Sequence, residues 1–161
     1  MTKTSFTIRP ATPADADAVV AMWQIMVDQH QAYDRLRWRM KPNAPALWRK
    51  FFLEVLAKKD SFALVAVNAT GQPIGYLVAN IAAPPPIVAI RSRGDIGDLF
   101  VRKEYRRHGL GRRLMNHAVK IMKSRGAEYI SLYVAASNRS AVRFYKNLGL
   151  KPLVLQMCNK L

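Results

Sequence analysis

The sequence predicts an α/β fold with six strands and four helices, in the order β-α-α-β-β-β-α-β-α-β. Three observations support this prediction. Strand-like alternation and helix-like periodicity follow one another repeatedly along the chain. Glycine and proline clusters separate these segments. Half of the 161 residues are apolar, which is enough for the core of a single domain over 1–161 but not for two domains.

The N-terminal half is predicted to hold one strand, two helices and a hairpin. Residues 5–9 alternate as a short strand. Thr12 is the expected N-cap of a helix that runs to about Ala32, with Pro13 at its first position and Asp15 at its third. A second helix covers about 44–58, where apolar residues recur at helical spacing. Strands over 61–67 and 74–82 flank the turn ATGQ at 69–72, which predicts a hairpin.

The C-terminal half is predicted to alternate strands and helices. A loop that begins with three prolines at 84–86 ends near Gly94 and leads into a strand over 95–102. A helix over 109–125 has one apolar stripe and ends at Gly126. A strand over 128–135, a helix over 139–147 closed by Gly149 and a final strand over 153–159 complete the order.

Several classes of protein are excluded by composition. The apolar runs are too short to span a membrane, and the first ten residues lack the apolar core of a secretory signal. Cys158 is the single cysteine, which rules out an internal disulfide framework and a multi-cysteine zinc site. The histidines have no partners at metal-binding spacing, so we expect no metal. A cytoplasmic, reducing compartment is the resulting expectation.

The positive charge is concentrated in two segments. The chain has 26 Lys and Arg against 10 Asp and Glu, a formal charge of +16. Residues 91–125 contain 11 of the basic residues and 3 acids, and residues 35–59 contain 8 basic residues and 1 acid. Such patches indicate an anionic partner, with nucleic acid, a membrane surface or a phosphorylated ligand as the candidates.

The first motif is a glycine-bearing turn between a strand and a helix. The strand over 95–101 leads to RRHGLGRRL at 106–114, where Gly109 and Gly111 leave room for converging amides. A helix N-terminus with this geometry binds phosphate or pyrophosphate, and four arginines add full charges around it. They are Arg106, Arg107, Arg112 and Arg113. The spacing fits neither the P-loop nor the dinucleotide fingerprint, so a plain helix cap beside a basic face remains the alternative.

The second motif is the segment NRSAVRFYKNLG at 138–149. It follows a predicted strand and places Asn138 at a helix N-cap. Ser140, Phe144 and Tyr145 lie within two turns of it. Taken alone, Asn138 is most simply a cap and Tyr145 a packed aromatic residue.

Together the two motifs resemble the GNAT superfamily of acetyl-CoA-dependent N-acyltransferases. The family pattern Arg/Gln-x-x-Gly-x-Gly/Ala is met by Arg106, Gly109 and Gly111. The later Asn, Tyr and Leu-Gly-Phe pattern is met by Asn138, Tyr145 and the LGL at 148–150. The opening IRPAT at 8–12 with Asp15 is also similar. The resemblance implies a mixed, mostly antiparallel sheet of six to seven strands flanked by about four helices.

The resemblance also implies an acetyl-CoA site and its residues. Backbone groups of Leu99, Phe100 and Val101 would hold the pantetheine arm, and a backbone N–H there could polarise the thioester carbonyl. Asn138, with Ser140 beside it, would contact the pantetheine region. Tyr145 would lie near the sulfur as general acid for the leaving thiolate. The pyrophosphate would be wrapped by the turn residues Arg106, Arg107, His108, Gly109, Leu110, Gly111 and Arg112.

Two departures from the family pattern affect these expectations. The turn has Arg107 where many members have glycine, so it loses a glycine and gains a charge, and His108 beside it is expected to face phosphate or solvent. Where many members have a glutamate on the preceding strand, this chain has Gly97. Strict alternation would put Asp98 on one face with Ile96 and Phe100, and Asp95 on the other with Gly97, Leu99 and Val101. Asp98, or else Asp95, is then the candidate general base, acting through water.

The family resemblance places the acceptor groove at about 29–48 and 82–94. Within the first segment, RLRWRMK at 35–41 would present four cations along one edge if extended, or a solvated face if the first helix continued. A cationic rim disfavours polyamines and favours an amine that also bears a carboxylate or phosphate. We therefore expect a small-molecule or protein amine as acceptor. A nucleic-acid-associated protein, for example one with a tRNA- or ribosome-bound acceptor, is the alternative, and a homodimer is possible.

Overall fold

The computed structural model describes residues 5–159, so the first four and last two residues of the expected domain lie outside it. Within 5–159 the chain forms five strands and four α-helices, which supports the α/β class. The elements are β1 Phe6–Pro10, α1 Ala16–Gln31, α2 Ala44–Ala57, β2 Ser61–Asn68, β3 Pro73–Ala82, β4 Arg93–Val101, α3 Leu110–Ser124, β5 Tyr129–Leu132 and α4 Arg139–Lys146. Short 3₁₀ turns, Pro13–Asp15 and Lys103–Tyr105, precede α1 and α3.

The sheet has the order β1-β2-β3-β4-β5. The first four strands pair antiparallel with their neighbours, and β5 pairs parallel with β4. The predicted count of six to seven strands is wrong for residues 5–159. Residues 153–159, predicted as the final strand, form no strand, and β5 is only four residues long. The apolar residues of a strand are present, but a strand also needs a neighbour to pair with, and this segment has none among the described residues.

Helices cover both faces of the sheet and create two apolar clusters. On one face α1 and α2 pack through Met22, Trp23 and Phe52 against the side chains of Tyr76 and Phe100. On the other face α3 packs through its fully buried stripe, with α4 beside it. That stripe is Leu110, Leu114, Met115, Ala118 and Met122. The sheet therefore separates the two helical layers, as the α/β pattern predicts.

The N-terminus of α1 is fixed by Asp15, a buried charged residue. Its carboxylate accepts hydrogen bonds from the Thr12 amide at 2.7 Å and from both terminal nitrogens of Arg9 at 2.8 Å. The hydrogen bonds from Arg9 are the main cause that holds the pKa of Asp15 below its ordinary value. The predicted helix start with Thr12, Pro13 and Asp15 is thus confirmed, and the opening at 8–15 has a structural role.

No helix within residues 5–159 combines the length and the apolar character that crossing a membrane requires.

Candidate active site

Strand β4 has an open edge over its second half. It pairs with β5 only over Arg93–Ile96, opposite Tyr129–Leu132. From Asp98 to Val101 it pairs with β3 alone, because β5 ends at Leu132. The main-chain groups of the predicted pantetheine residues Leu99, Phe100 and Val101 therefore lie where the two parallel strands have separated. An extended ligand can pair with such an edge as an additional strand does.

A β-bulge at Gly97 changes which residues share a face of β4. Val78 lies opposite Asp98 and Ala79 opposite Ile96, so Gly97 has no partner on β3. The prediction that Ile96 and Phe100 share a face is therefore wrong. Ile96 packs in the cluster with α3, whereas Phe100 packs in the cluster with α1 and α2.

The bulge also separates the two candidate bases. Asp95 accepts hydrogen bonds from Nε of Arg93 at 3.0 Å and from the hydroxyl of Ser131, so its carboxylate is already engaged. Asp98 lies beyond the bulge, beside Trp48 of α2. The structure therefore leaves Asp98 as the carboxylate available at the site.

Asp98 and Tyr145 form an electrostatically linked pair. Burial raises the pKa of Asp98 to about 6, and hydrogen bonding from Trp48 partly offsets the rise. Burial also raises the pKa of Tyr145 to about 12, with a further contribution from the Asp98 charge. Two side chains that are 47 residues apart in sequence thus share one desolvated neighbourhood at the open edge of β4.

Tyr76 is a member of this neighbourhood that sequence reasoning missed. It lies on β3 opposite Phe100 and is fully buried. Burial, with the charge of Asp98 as a second cause, raises the pKa of its phenol well above the ordinary value. Its hydroxyl has the sulfur of Met26 as neighbour at 3.9 Å. The strand pattern could identify Tyr76 as a core residue, but nothing local indicated its proximity to Asp98.

The glycine turn combines two different uses of glycine. Gly109 has φ of 78°, a conformation that side chains disfavour, and it precedes the first residue of α3. Gly111 permits close packing, since a Cβ atom there would lie 3.3 Å from the ring of Phe144 on α4. The first α3 amide bonded to this turn is that of Arg113, which donates to the Gly109 carbonyl at 3.0 Å. The amides before it, from Leu110 to Arg112, have no acceptor within the helix and can bind an anion.

The arginines around the turn differ in their surroundings. Arg106 links the end of β4 to α1, because its Nε donates to the Val101 carbonyl at 2.7 Å and a terminal nitrogen donates to Gln29 at 3.2 Å. Arg112 donates to the Asn147 carbonyl at 3.3 Å. Arg107, at φ of 64°, and His108 are exposed on the turn. The backbone of the turn and these exposed side chains remain available to a phosphate.

Asn138 is confirmed as an N-cap. Its side-chain oxygen accepts a hydrogen bond from the Ala141 amide at 3.1 Å, at the start of α4. Ser140 is exposed on the first turn of that helix. Tyr145 is partly buried one turn further, in an edge-to-face contact with Phe144. The α4 helix therefore brings Tyr145 toward β4 while Phe144 fixes the approach of α3.

A cleft of about 440 Å³ opens beside the bulge, at Gly97 and Asp98. The apolar wall of the cleft is formed by Trp48, Phe51 and Val55 of α2. Asp98 and Lys58 also line the cleft. Of the predicted acceptor segments, only Trp48 contributes to this cleft. Its volume is in the range of small-molecule sites.

The cationic segment 35–41 adopts neither of the two predicted conformations. Helix α1 ends at Gln31, and the residues that follow form turns. Trp38 and Met40 pack against the core, whereas Arg35, Arg37, Arg39 and Lys41 are exposed. Trp38 and Met40 therefore anchor the segment, and its four cations face solvent. Among residues 5–159, no three His, Cys, Asp or Glu side chains are grouped as a metal site would need.

Comparisons with known proteins identify the family and the fold. The model of the "Acetyltransferase (GNAT) family" matches residues 19–150. An uncharacterised N-acetyltransferase of Methanocaldococcus jannaschii is 26% identical over 145 residues, which cover 90% of this chain and 60% of the relative. The chain therefore spans less than two thirds of that relative's length.

Solved structures show the same fold. A tetramutant protein of Bacillus halodurans superposes with a TM-score of 0.85 at 26% identity, covering 96% of this chain and 99% of the other. An aminoglycoside N-acetyltransferase in complex with CoA superposes with a TM-score of 0.77 at 13% identity, covering 98% of this chain and 95% of the other. The last likeness concerns the fold alone. The alternative of a nucleic-acid-associated protein finds no support in the family match or in these relatives.

Proposed function

The chain belongs to the acetyltransferase (GNAT) family, and from this premise we propose that it transfers an acetyl group from acetyl-CoA to a primary amine. The observation that carries the proposal is the open edge of β4, which lies between the amides of the glycine turn and the Asp98–Tyr145 pair. These three features fit the three parts of the donor, namely the pantetheine arm, the pyrophosphate and the thioester.

The donor site is proposed to follow β4 toward the bulge. The edge of β4 that faces away from β3, over Leu99, Phe100 and Val101, pairs with the amides of the pantetheine arm. The α3 N-terminus, with Gly109 and Gly111, binds the pyrophosphate, and the exposed Arg107 and His108 are beside it. Asn138 keeps its cap hydrogen bond to the backbone and offers its amide nitrogen to the pantetheine region.

The chemistry is proposed to use Asp98 and Tyr145. Acetyl-CoA supplies an activated thioester, and the acceptor amine forms a C–N bond to its carbonyl carbon while the C–S bond breaks. Asp98 takes the proton released by the amine, directly or through water, since a pKa of about 6 leaves it ionised near neutral pH. Tyr145 stays protonated because its pKa is about 12, and it donates to the departing thiolate.

Protonation of Asp98 is proposed to help Tyr145 donate its own proton in the following step. The negative charge of Asp98 is one cause of the raised pKa of Tyr145. When Asp98 takes a proton, that charge disappears and the pKa of Tyr145 falls. Tyr145 therefore becomes a better proton donor at the stage when the thiolate leaves.

We propose that the acceptor reaches Asp98 through the cleft beside α2. The cleft is large enough for a small amine or for the end of a protein chain, and Trp48, Phe51 and Val55 would contact its apolar part. Lys58 lines the cleft together with Asp60 and Asp98, so the cleft itself is not basic. The exposed cations of 35–41 lie outside the cleft, and they would favour an acceptor that also bears a carboxylate or phosphate and disfavour polyamines.

Calorimetric titration with acetyl-CoA, followed by an acetylation assay over a panel of amines, tests the proposal. We expect acetyl-CoA to bind with a Kd in the micromolar range, and CoA release to depend on the amine. Failure to bind acetyl-CoA at high micromolar concentration would refute it.

The anionic preference has its own test. Replacing Arg35, Arg37 and Arg39 by Ser should raise KM for anionic amines relative to neutral ones and leave acetyl-CoA binding unchanged. An equal effect on both amine classes would remove the basis for an anionic acceptor.

A further inference from the structure

Trp48 belongs both to the core and to the wall of the cleft. It is half-buried, packs against the cluster that α1 and α2 form on the sheet, and lines the cleft together with Asp98. Phe52, one turn further along α2, is fully buried in the same cluster. Helical spacing accounts for Trp48 and Phe52 as neighbours in the core, but it does not account for an indole placed beside a carboxyl group.

Contacts with four aromatic rings fix the plane of the Trp48 indole. It lies nearly parallel to the ring of Trp23, with centres 5.3 Å apart, and to the ring of Phe52, with centres 5.5 Å apart. Tyr76 meets the indole edge to face at 5.9 Å, and Phe51 lies tilted against it at 6.3 Å. Because Trp23, Phe52 and Tyr76 are at most 6% exposed, close packing holds these three rings and, through them, the indole.

Asp98 faces the layer that contains this indole. It lies opposite Val78 of β3, and it is followed on alternate positions of β4 by Phe100. Val78 and Phe100 both pack in the cluster with α1 and α2. Hydrogen bonding from Trp48 lowers the pKa of Asp98, against the larger effect of burial. The indole and the carboxyl group are therefore in contact at the bulge.

We propose that Trp48 is a positioning residue for acetyl transfer: its indole N–H donates to one oxygen of Asp98, so that the other oxygen is turned to the amine in the cleft. The inference rests on the proposed function, in which Asp98 accepts the proton of the amine. An indole N–H is a donor with no acceptor capacity. Trp48 therefore favours the ionised form of Asp98 and does not compete with it for the proton that the amine releases. The fixed indole also limits the orientations that the carboxylate can adopt, which lowers the entropic cost of reaction.

Other titratable side chains lie around Asp98 and have to be considered in any test that varies pH. Within residues 5–159 they are Tyr76 on β3, Tyr145 on α4, and Lys58 and Asp60 at the cleft. Burial raises the pKa of Tyr145 to about 12 and that of Tyr76 well above its ordinary value, so both phenols stay protonated near pH 6. All four side chains are unchanged by a substitution of Trp48, so a comparison of variants isolates the indole N–H.

The pH profile of kcat/KM gives the first test. Trp48→Phe keeps an aromatic ring in the stack and removes the N–H. We expect it to move the midpoint upward from about 6 by roughly 0.5–1.5 pH units, because the ionised carboxylate loses a hydrogen bond. On the alkaline plateau kcat should fall by about 3- to 30-fold, with an unchanged Kd for acetyl-CoA. Trp38→Phe is the matched control, since it removes an indole outside the cleft, and it should leave the midpoint unchanged.

Tryptophan fluorescence gives a second test that needs no turnover. The chain has three tryptophans, so a Trp38→Phe background retains only Trp23 and Trp48. In this background we expect the emission to change with a midpoint near pH 6, as Asp98 ionises beside the indole. Adding Asp98→Asn, or adding Trp48→Phe, should abolish that change. Thermal unfolding of each variant checks that it is folded.

Two results would overturn the proposal. One is an emission that does not titrate, or that titrates equally after Asp98→Asn, because the indole would then not sense the carboxyl group. The other is a folded Trp48→Phe variant with the wild-type pH midpoint and kcat. Failure of the proposed function is distinguishable from both: a protein that acetylates no amine, but whose emission titrates through Asp98, would refute the activity and leave the contact between Trp48 and Asp98 standing.

Discussion

Replacing Asp98 with Asn should raise stability and abolish most of the activity at the same pH. The substitution keeps the shape of the side chain, and the amide oxygen still accepts a hydrogen bond from Trp48. What it removes is a negative charge held in a desolvated position at the bulge of β4. Stability and catalysis are then expected to change in opposite directions, as is common for active-site residues.

The size of the stability gain follows from the pKa of Asp98. Burial raises it from 3.8 to about 6. Below the lower value the carboxyl is protonated in both the folded and the unfolded chain, so its ionisation costs nothing. As pH rises through 3.8 to 6 the unfolded chain releases the proton first, and folding stability falls. Above pH 6 the full cost applies, up to about 3 kcal/mol at about 1.4 kcal/mol for each pH unit between the two pKa values.

Chemical denaturation at two pH values measures this cost. At about pH 7.5 we expect Asp98→Asn to be up to about 3 kcal/mol more stable than the wild type, and at about pH 4 to differ from it by less than about 1 kcal/mol. Asp95→Asn is the matched control on the same strand. Its carboxylate accepts hydrogen bonds from Arg93 and Ser131, so that variant should lose stability at about pH 7.5.

The acetylation assay completes the test. Loss of a general base should lower kcat by roughly 10²–10⁴-fold, and the wild-type rate should increase with pH through about 6 as Asp98 ionises. If the difference in stability between Asp98→Asn and the wild type were the same at both pH values, the idea of a desolvated charge at Asp98 would be refuted. Full activity in the same variant would refute the base assignment.

Four further substitutions, one of them a control, have definite expected outcomes. Tyr145→Phe should lower kcat by about 10- to 1,000-fold with little change in acetyl-CoA binding by calorimetry, and an unchanged kcat would exclude it as the proton donor. Gly94→Ala should destabilise the fold by about 1–3 kcal/mol in chemical denaturation, because the new methyl group clashes with Met122. Gly97→Ala is the control and should cost less than about 1 kcal/mol, because its Cβ would meet only the Val78 carbonyl at 3.6 Å. Arg106→Ala should weaken acetyl-CoA binding by at least about 10-fold by calorimetry, because Arg106 connects the end of β4 to α1 beside the turn, and unchanged binding would contradict that role.

Much of the site could be anticipated from the sequence because its signals are local. The N-caps Thr12 and Asn138 are recognised by residue type at a helix start, and both lie at predicted helix starts in the structure. The turn at Gly109 could also be predicted from residue type, because a positive φ before a helix strongly favours glycine. Helical periodicity placed the ends of α2, α3 and α4 within one residue of those observed, whereas α1 begins three residues later than predicted because its first turn is a 3₁₀ turn.

The features that sequence reasoning missed depend on partners far along the chain. Strict alternation along β4 failed because the register with β3 shifts at Gly97, and a register is a property of two strands. The strand predicted over 153–159 did not form, because a strand needs a partner and this segment pairs with neither edge strand of the described sheet.

The sequence by itself determined the order of the five observed strands and four helices, the glycine turn before α3 and the family, because these follow from spacing between near neighbours. Only the tertiary structure decided that Asp95 is engaged by Arg93 and Ser131, and that the charge of Asp98 lies close enough to Tyr145 to contribute to its raised pKa. The physical reason is desolvation. The carboxyl of Asp98 becomes a stronger base because other segments exclude water from it. The packing of α2, β3 and α4 brings those segments together.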